Sequence, residues 1–512
     1  MPASSLSRPV PDVSETGAWL GFIAMCIGMF MAILDVQVVA TSLPTIQSAL
    51  NIAPDQMSWV QTAYLIAEVI AIPLAGVLTR ALSMRWLFVS AVSIFIAASL
   101  GCALSGSFES LIAWRVLQGF SGGTLIPAVF SAIFLLFPVQ RHGIATTLAG
   151  VIAVLAPTVG PIVGGWITQT YSWHWLFLIN IAPGMVSAFV AVAFLPKTSR
   201  QLRQMKALDF ISLLLMGIGL TALIIALKEA PHRGWMSGLV IGLLSLSLIS
   251  TIGFVRRTLG AVVPVVSLAH FSNRSFTIGC VLSFVLGIGL FGSVYLIPVF
   301  LAFVRGHNAL EIGTIMLVTG VVQLITAPVA VALEQRVEAR VLTALGFGLF
   351  AVGLGLSAFQ TPQSDYDALF WPQILRGLAI MFCLLPPTRM ALGLIDKAQV
   401  ADASGLFNLM RNLGGAIGLA LIDTVIYSRS AVRSADLVAK LQQGDVETVR
   451  FLGLPLQTLS APPAAAAALV QPFIEKGALT LAINEAWGMI ALLTLAALLC
   501  VPFARRSAAN TA

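Results

Sequence analysis

Long apolar runs recur from residue 19 to residue 503, and they restrict the fold of this chain more than any other feature. A helix that crosses the ~30 Å hydrocarbon core of a bilayer needs roughly 20 apolar residues, because it rises about 1.5 Å per residue. Dividing the runs at charges, Pro/Gly turns and polar clusters gives fourteen such segments: 19–43, 57–78, 86–105, 110–137, 144–168, 175–195, 209–228, 236–255, 275–303, 311–333, 340–359, 369–394, 403–428 and 480–503. The sequence therefore predicts an all-α integral membrane protein with fourteen transmembrane helices.

The composition excludes an ordinary soluble protein. Hydrophobic residues make up 58% of the chain and charged residues 10%, whereas soluble domains carry about 25% charged residues. A formal net charge of +7 would suggest a nucleic-acid partner for a soluble chain, but basic residues gathered in cytoplasmic loops explain it here. We therefore expect the lipid bilayer, and no nucleic acid, as a partner.

The distribution of basic residues orients the spans, because cytoplasmic loops collect Lys and Arg. With the N-terminus in the cytoplasm, sixteen basic residues fall on the cytoplasmic side, and the short external links hold only Lys228, Arg233 and Arg305. An even number of spans then places both termini in the cytoplasm. The segment before residue 19 has no short apolar core or cleavage site, so we expect the first span to be retained.

The spans divide into two sets of six with two spans inserted between them. We predict a cytoplasmic N-terminal tail (1–18), an N-terminal six-span half (19–196), a basic linker with two inserted spans (197–274), a C-terminal six-span half (275–503) and a cytoplasmic C-terminal tail (504–512). The C-terminal half includes a long external loop at 429–479. Its residues 431–449 fit a short amphipathic helix, but an unstructured tether fits the loop equally well.

Asp35 is the one acid in the first apolar run, with no basic residue nearby in sequence. An ionised Asp at the middle of a membrane helix costs roughly 2.5–3.5 kcal/mol on insertion scales, so its side chain should face the bundle interior or water. Removal from water favours the protonated form of a carboxyl group, which makes Asp35 a candidate proton carrier. The alternative is a polar packing residue that never titrates.

Arg115 lies inside the fourth run, where a guanidinium needs a carboxylate or carbonyl partner from a neighbouring span. Gln118 and Gly119 continue this face with a polar and a close-packing residue. The alternative for Arg115 is a side chain that extends to the membrane surface.

The fifth span contains Pro157, Gly160, Pro161, Gly164 and Gly165. Gly160 and Gly164 are one turn apart, which lets another helix approach the backbone closely. Each proline removes a hydrogen bond within the helix. A small-xxx-small pair alone indicates packing, but the interleaved prolines favour a helix that hinges or seals.

Further charged residues lie within the spans: Glu68 in the second, Arg389 near the end of the twelfth, and Arg411 and Asp423 at the start and towards the outer end of the thirteenth. Glu68 fits a second proton or substrate carboxylate, an ion-pair partner of an arginine, or a partly solvated structural residue. The mixture of acids and arginines favours neither cationic nor anionic substrates.

The chain has no phosphate loop of the G-x-x-x-x-G-K-[ST] type, its five histidines lack metal-ligand spacing, and its five cysteines form no close pair. No nucleophile–base arrangement occurs within the spans. We therefore predict that the chain is not an enzyme, with no catalytic or metal site and no cofactor, and that an ion gradient powers any uphill transport.

Several of these segments resemble the major facilitator superfamily, in particular its fourteen-span drug:proton antiporter branch (EmrB/QacA-type multidrug efflux pumps). The matching motifs are Leu34-Asp35 to Leu43-Pro44, Arg115 with Gln118-Gly119, Gly160-Pro161 with Gly164-Gly165, Trp173 to Asn180 before Pro183-Gly184, and Ser404-Gly405 to Arg411-Asn412 and Gly418. Together they extend from span 1 to span 13.

One segment departs from the superfamily pattern. The resemblance predicts a cytoplasmic gate loop after span 2, from Gly76 through Arg80 to Arg85, but the pattern has Asp where Arg80 stands and Gly where Ser83 stands. That Asp normally helps to lock the inward gate, although some adaptor-dependent pumps of the branch also lack it.

The resemblance implies a major facilitator fold, with two six-span halves plus two inserted spans, in the inner membrane of a bacterium. It also implies proton-coupled export of hydrophobic or amphipathic drugs, with Asp35 and Arg115 in proton coupling and with Glu68, Arg411 and Gln118 as a second carboxylate or substrate contacts. A periplasmic membrane-fusion adaptor and an outer-membrane channel are the implied partners. The alternatives are a carrier of one metabolite or siderophore-like compound, and a non-transporting receptor or sensor.

Overall fold

The computed structural model describes residues 14–53, 56–197, 209–261, 264, 268–334, 336–393, 395, 400–455 and 463–504. These ranges contain sixteen α-helices and no β-strand. The helices are α1 (Glu15–Ala49), α2 (Trp59–Leu82), α3 (Met84–Ala103), α4 (Phe108–Leu136), α5 (Val139–Thr170), α6 (Trp175–Leu178), α7 (Ile181–Phe194), α8 (Phe210–Arg233), α9 (Gly238–Gly260), α10 (Arg274–Phe300), α11 (Ala309–Glu334), α12 (Ala339–Leu356), α13 (Tyr366–Leu392), α14 (Val400–Gln442), α15 (Val446–Leu452) and α16 (Pro463–Ala497).

Polar residues cap several of these helices at their N-termini. The side chains of Ser14, Ser107, Asp209, Ser237 and Asn273 each accept a hydrogen bond from a backbone N–H in the first turn of the helix that follows. A capping oxygen satisfies one of the donors that the first turn leaves without an intrahelical partner. These residues therefore fix where α1, α4, α8, α9 and α10 begin.

Thirteen helices of the described residues are long and apolar enough to cross a membrane, with α6 and α7 together forming one of them. The apolar stretch Trp59–Ala75 of α2 is shorter than the others. The prediction of an all-α membrane protein is confirmed, whereas the count of fourteen spans stays a prediction.

The helices form two groups and an insert. The N half comprises α1–α7 and the C half comprises α10–α14 and α16, and within each half the helices contact one another extensively. The insert consists of α8 and α9, which lie against each other. The halves meet where α5 contacts α11, where α2 contacts α14 and where α1 contacts α10.

Short links make consecutive helices run in opposite directions through the bundle. We call the face where α1 ends and α2 begins the distal face, and the face where α2 ends and α3 begins the proximal face. By this alternation, α5 and α14 end at the distal face, and α11 and α16 begin there.

Helices occupy most of the segment predicted as a long external loop at 429–479, so the described residues there fit the helical alternative and not the unstructured tether. Helix α14 continues to Gln442, α15 covers Val446–Leu452, and α16 begins at Pro463. Leu437, Leu452, Val470 and Ile474 are buried together with Ala478 in a small apolar cluster of their own. We call residues 428–455 and 463–478 the distal extension; it is helical because its leucines and isoleucine have each other to pack against.

The predicted loop between spans 2 and 3 is wrong. Helix α2 continues through Gly76 and Arg80 to Leu82, and α3 begins at Met84, so that Ser83 alone forms the link. Ser83 has φ +72° and ψ 154°, a backbone conformation that is almost restricted to glycine. The sequence after Gly76 contains no proline or glycine to end the helix, and the reversal is therefore concentrated at one residue.

Replacing Ser83 with glycine is expected to stabilise the protein by about 1–3 kcal/mol, because glycine adopts this conformation without strain. The substitution also removes a buried hydroxyl that has no hydrogen-bond partner among the described residues. Thermal unfolding in detergent measures the effect. Ser434→Gly, within α14, is the control and is expected to destabilise by up to about 0.5 kcal/mol, since glycine is less favourable than serine in a helix. An unchanged or lower melting temperature for Ser83→Gly would contradict the strain at this link.

Lys228 does not lie in an external link as predicted, because α8 extends to Arg233. Lys228 is buried, and its ammonium group contacts the carboxylate of Asp423 on α14 at 2.8 Å. The predicted span 209–228 ends too early because we placed its end at a charged residue. A charge that is paired, as Lys228 is, can stay within the bundle.

Candidate proton-coupling site

Asp35 lies in the N half on α1, and its side chain is fully buried. Its Oδ2 accepts a hydrogen bond from the Arg115 guanidinium on α4, with which it forms an ion pair. Its Oδ1 accepts hydrogen bonds from Gln118 Nε2 and from Asn180 Nδ2, each at 2.9 Å. Both carboxylate oxygens are thus occupied by donors, as a buried charge requires.

Four other groups hold the Arg115 side chain in place. Its Nη1 donates to Gln118 Oε1 at 2.7 Å, and its Nε donates to the backbone carbonyl of Val60 on α2 at 2.9 Å. The guanidinium carbon lies 4.5 Å from the centre of the Tyr64 ring and 5.8 Å from that of Phe177. Within the described part of the chain, Nη2 has no hydrogen-bond partner. The predicted alternative, an arginine that extends to the membrane surface, is wrong because Arg115 is completely buried.

Ser99 on α3 joins the network from a third side. Its hydroxyl accepts from Gln118 Nε2 at 2.9 Å and from Asn180 Nδ2 at 3.4 Å. Both amides therefore bind the Asp35 carboxylate and the same hydroxyl. Protonation of Asp35 would remove the ion pair and change the hydrogen-bond roles among side chains of α1, α3 and α4.

Asn180 and Ser99 are site residues that the sequence reasoning did not assign. Asn180 lies in the two-residue interruption between α6 and α7, which turns its amide towards Asp35. Its place at the end of the motif from Trp173 was the available signal. Ser99 offered none, because a single serine in an apolar helix is common.

Helix α5 of the N half contacts α1 of its own half with one face and α11 of the C half with another. A β-carbon added at Gly164 would lie 2.5 Å from the Val38 carbonyl oxygen on α1, and one added at Gly160 would overlap Gln37 on the same helix. Ser42 on α1 reinforces this face, because its hydroxyl lies 2.7 Å from that of Thr168. Gln37 and Val38 follow Asp35 by two and three residues, which connects the site to α5 directly.

The opposite face of α5 meets α11 of the C half. A β-carbon added at Gly165 would overlap the Ala309 carbonyl oxygen, and one added at Gly313 would overlap that of Pro161. Thr158 Oγ1 donates to the Gly320 carbonyl at 3.1 Å. Gly164, Gly165 and Pro161 thus lie where the backbone of α5 closely approaches the backbone of α1 or of α11.

The other predicted site residues fall in two places. Glu68 on α2 faces Arg411 and accepts a hydrogen bond from Asn412, both on α14, so this contact crosses between the halves. Arg85, at the start of α3, is buried with its guanidinium 5.7 Å from the Trp86 ring. The side chains of Gly76 and Arg80 lie outside the described residues. The roles of all of these residues stay predictions.

In the described ranges, no group of three or more His, Cys, Asp or Glu side chains has metal-binding geometry. The five cysteines are free, and four of them are fully buried.

Residues 25–419 match the family model described as Major Facilitator Superfamily, which covers well over half of the chain. The chain belongs to this superfamily. Among its curated members, the colistin resistance protein EmrB of Acinetobacter baumannii is 40% identical over 410 residues, covering 80% of each chain. The multidrug export protein EmrB of Escherichia coli is 31% identical over 418 residues, covering 81% of each.

Solved structures of the Major Facilitator Superfamily share the fold. A D-xylose–proton symporter superposes with a TM-score of 0.60 at 13% identity, covering 96% of this chain and 99% of that chain. An inward-facing bacterial homologue of the human lysosomal transporter Spinster gives 0.61 at 14% identity, covering 96% and 98%. The predicted major facilitator fold is confirmed.

Proposed function

We propose that this protein is a proton-coupled secondary transporter that exports hydrophobic or amphipathic toxic compounds. Membership of the superfamily supports transport, and the relatives named for multidrug export and colistin resistance support drugs as substrates. A further relative, 29% identical over 419 residues, is named for fatty acid resistance. Colistin and fatty acids are both amphipathic, and we infer a broad substrate range of that chemistry.

The observation that carries the proposal is the enclosed carboxylate of Asp35, which has a guanidinium on one oxygen and two amides on the other. An acid in such a place has two stable forms, ionised with Arg115 or protonated without the ion pair. Exchange between them requires access to water from one face of the membrane at a time. Asp35 is therefore the group to which we assign the transported proton.

Helix α5 provides a route from the proton to the substrate path. A change at Asp35 alters α1, whose next turn contacts Gly160 and Gly164, and α5 carries that displacement to α11 through Gly165. Opening and closing of the halves is then coupled to protonation through helix contacts that cannot yield sideways. We assign Glu68 and Arg411, which face each other across the halves, to contact with substrate or with a second proton.

We place the protein in the inner membrane of a bacterium with both termini cytoplasmic. The distribution of basic residues supports this orientation. The distal face then faces the periplasm, and the distal extension projects from it.

The distal extension is the surface to which we assign a periplasmic adaptor protein, which in turn would contact an outer-membrane channel. Its helices exceed the length of a membrane span, and Val432, Val446 and Phe473 are exposed on them. Arg429 and Arg433 both bind Glu485 at the base of the extension, which holds it at the end of the bundle. Replacing residues 436–468 with a short Gly/Ser linker is expected to abolish drug resistance of whole cells while vesicle transport by the purified protein is retained. Unchanged resistance would exclude docking.

The direct test of the function is dye efflux from proteoliposomes with and without a proton gradient. We expect accumulation of several chemically different amphipathic dyes against their gradients, and its loss when an uncoupler is added. Parallel assays with single metabolites separate a dedicated carrier from a multidrug exporter. A protein that binds dyes but moves none of them would exclude transport.

A further inference from the structure

Helix α8 of the insert lies across the line where α2 of the N half meets α14 of the C half. Near the proximal face, Leu213 and Met216 of α8 share an apolar cluster with Val69 and Ile72 of α2 and with Leu406 of α14. The insert is therefore in contact with both halves, and any opening between α2 and α14 takes place beneath it.

Towards the distal face the same three helices meet through charged and polar groups. Lys228 Nζ of α8 lies 2.8 Å from Asp423 Oδ2 of α14, and both side chains are more than nine-tenths buried. Tyr295 of α10 donates to the other carboxylate oxygen at 2.8 Å. The ammonium group also lies 4.8 Å from the centre of the Trp59 ring of α2. The buried ion pair thus joins the insert to the C half, and Trp59 of the N half packs against it.

Ser58 is the N-half member of this cluster. It is fully buried immediately before α2, and its hydroxyl donates to Asp423 Oδ2 and accepts from Lys228 Nζ. Its side chain does not cap α2. This hydroxyl of the N half is therefore hydrogen-bonded to both members of the ion pair, one in the insert and one in the C half.

Contacts on α8 and α14 decide which groups separate when the distal face opens. Thr424 Oγ1 of α14 donates to the Leu227 carbonyl of α8 at 2.8 Å, next to the ion pair. This hydrogen bond and the Lys228–Asp423 pair join the insert to the C half at this level. Neither of these two contacts includes Ser58 or Trp59 of the N half. When the halves separate, Ser58 and Trp59 must therefore move away from the ion pair.

We propose that Lys228 is a positioning residue for transport: it holds Asp423 against Ser58 and so latches the distal ends of the two halves together. The latch is closed in the state described here and releases each time the distal face opens. This inference rests on the proposed transport function, because alternating access is what requires the distal face to open. The insert then takes part in gating and is not a passive addition to the two halves.

The buried charge of Asp423 supports the role of Lys228. Without it, Asp423 would be a buried carboxylate held by neutral groups alone, and an uncompensated buried charge is strongly destabilising. Separation of the halves relieves this cost, because it admits water to the Asp423 carboxylate. Loss of Lys228 should therefore favour the open distal face over the closed one, not merely loosen the whole fold.

The test measures opening of the distal face on the full-length purified protein in lipid nanodiscs. Spin labels are placed at Gln169 on α5 and Thr314 on α11, both exposed, in a background whose five native cysteines are replaced by alanine. Pulsed electron–electron double resonance measures the distance between the two labels and so gives the fractions of closed and open molecules. The labels lie on the α5–α11 contact, away from the substituted residues, and thus report the distal face as a whole.

In Lys228→Met we expect the ratio of closed to open molecules to fall by on the order of tenfold, because a buried charge loses its partner. Lys228→Arg is expected to keep the wild-type ratio. The double variant Lys228→Met/Asp423→Asn should recover much of it, since no buried charge is left unpaired. Arg233→Met, which replaces an exposed arginine of the same helix paired with Glu229 at 2.7 Å, is the matched control and should leave the ratio unchanged.

Ser58→Ala provides a second test that leaves the ion pair intact and is the variant to use if Lys228→Met does not fold. It removes the hydroxyl that joins the halves, and a several-fold fall in the same ratio is expected. A wild-type ratio in folded Lys228→Met, or in Ser58→Ala where the methionine variant does not fold, overturns the latch. Because the label distances require neither substrate nor a proton gradient, failure of the wild type to export dyes would refute the proposed function separately.

Discussion

Asp35→Asn is expected to abolish dye export driven by a proton gradient, while dye binding is retained. The amide keeps the acceptor oxygen that Gln118 and Asn180 contact at 2.9 Å, but it cannot exchange a proton. The variant therefore stays in a form that resembles the protonated site, which can bind substrate but cannot complete a coupled cycle. Transport in proteoliposomes with an imposed pH difference, together with fluorescence binding of the same dye, measures the two effects.

Controls separate coupling from folding. The substitution leaves the Arg115 guanidinium buried without its counter-charge, which costs about 3–5 kcal/mol of unfolding free energy. Asp35→Asn/Arg115→Gln removes both charges and is expected to recover thermal stability yet remain inactive. Glu109→Gln changes an exposed acid in the first turn of α4 and should transport normally. Gradient-driven efflux at the wild-type rate by Asp35→Asn would mean that another group carries the proton.

Gly164→Leu is expected to abolish uphill transport by forcing α5 away from α1. A β-carbon at Gly164 would lie 2.5 Å from the Val38 carbonyl oxygen and 2.7 Å from its Cα, so that backbone must move. Dye efflux and the melting temperature of the purified protein are both expected to fall. Gly160→Leu is expected to have a comparable effect, because the β-carbon there would overlap the Cβ of Gln37, an atom fixed to the backbone of α1.

The matched control for this prediction is on the same helix. A β-carbon at Gly150 meets nothing within 4 Å, so Gly150→Leu adds the same bulk to α5 without a collision. We expect this variant to keep the wild-type efflux rate and melting temperature. If Gly150→Leu and Gly164→Leu were equally active, the close approach of α5 to α1 would have no part in transport.

The sequence revealed the charged residues of the site more readily than their partners. Asp35 and Arg115 could be recognised because a charge inside an apolar run is conspicuous and expensive. Their contact could not be derived from spacing, since 80 residues separate them and two helices lie between. Asn180 reaches Asp35 only because the helix is interrupted beside it, and composition alone does not place such a break.

The errors in the fold have physical causes as well. Apolar runs located the helices because the bilayer requires them, but the runs gave no information on helices that continue beyond the membrane. The sequence did not decide between a helix and a tether for the distal extension, because its small apolar cluster forms from Leu437 and Ile474, which are distant in sequence. Lys228 was taken for a boundary because its neutralising partner, Asp423, lies 195 residues further along the chain.

A small molecule that inserts between α5 and α11 at the distal face would arrest the transport cycle, and few mutations could give resistance to it. At Gly165 and Ala309, and again at Pro161 and Gly313, the two helices approach each other through main-chain atoms. Resistance to an inhibitor normally arises by exchanging a side chain that the compound contacts. At this contact any larger side chain would separate α5 from α11, as the compound does. Substitutions that prevent binding of the inhibitor would therefore also stop transport.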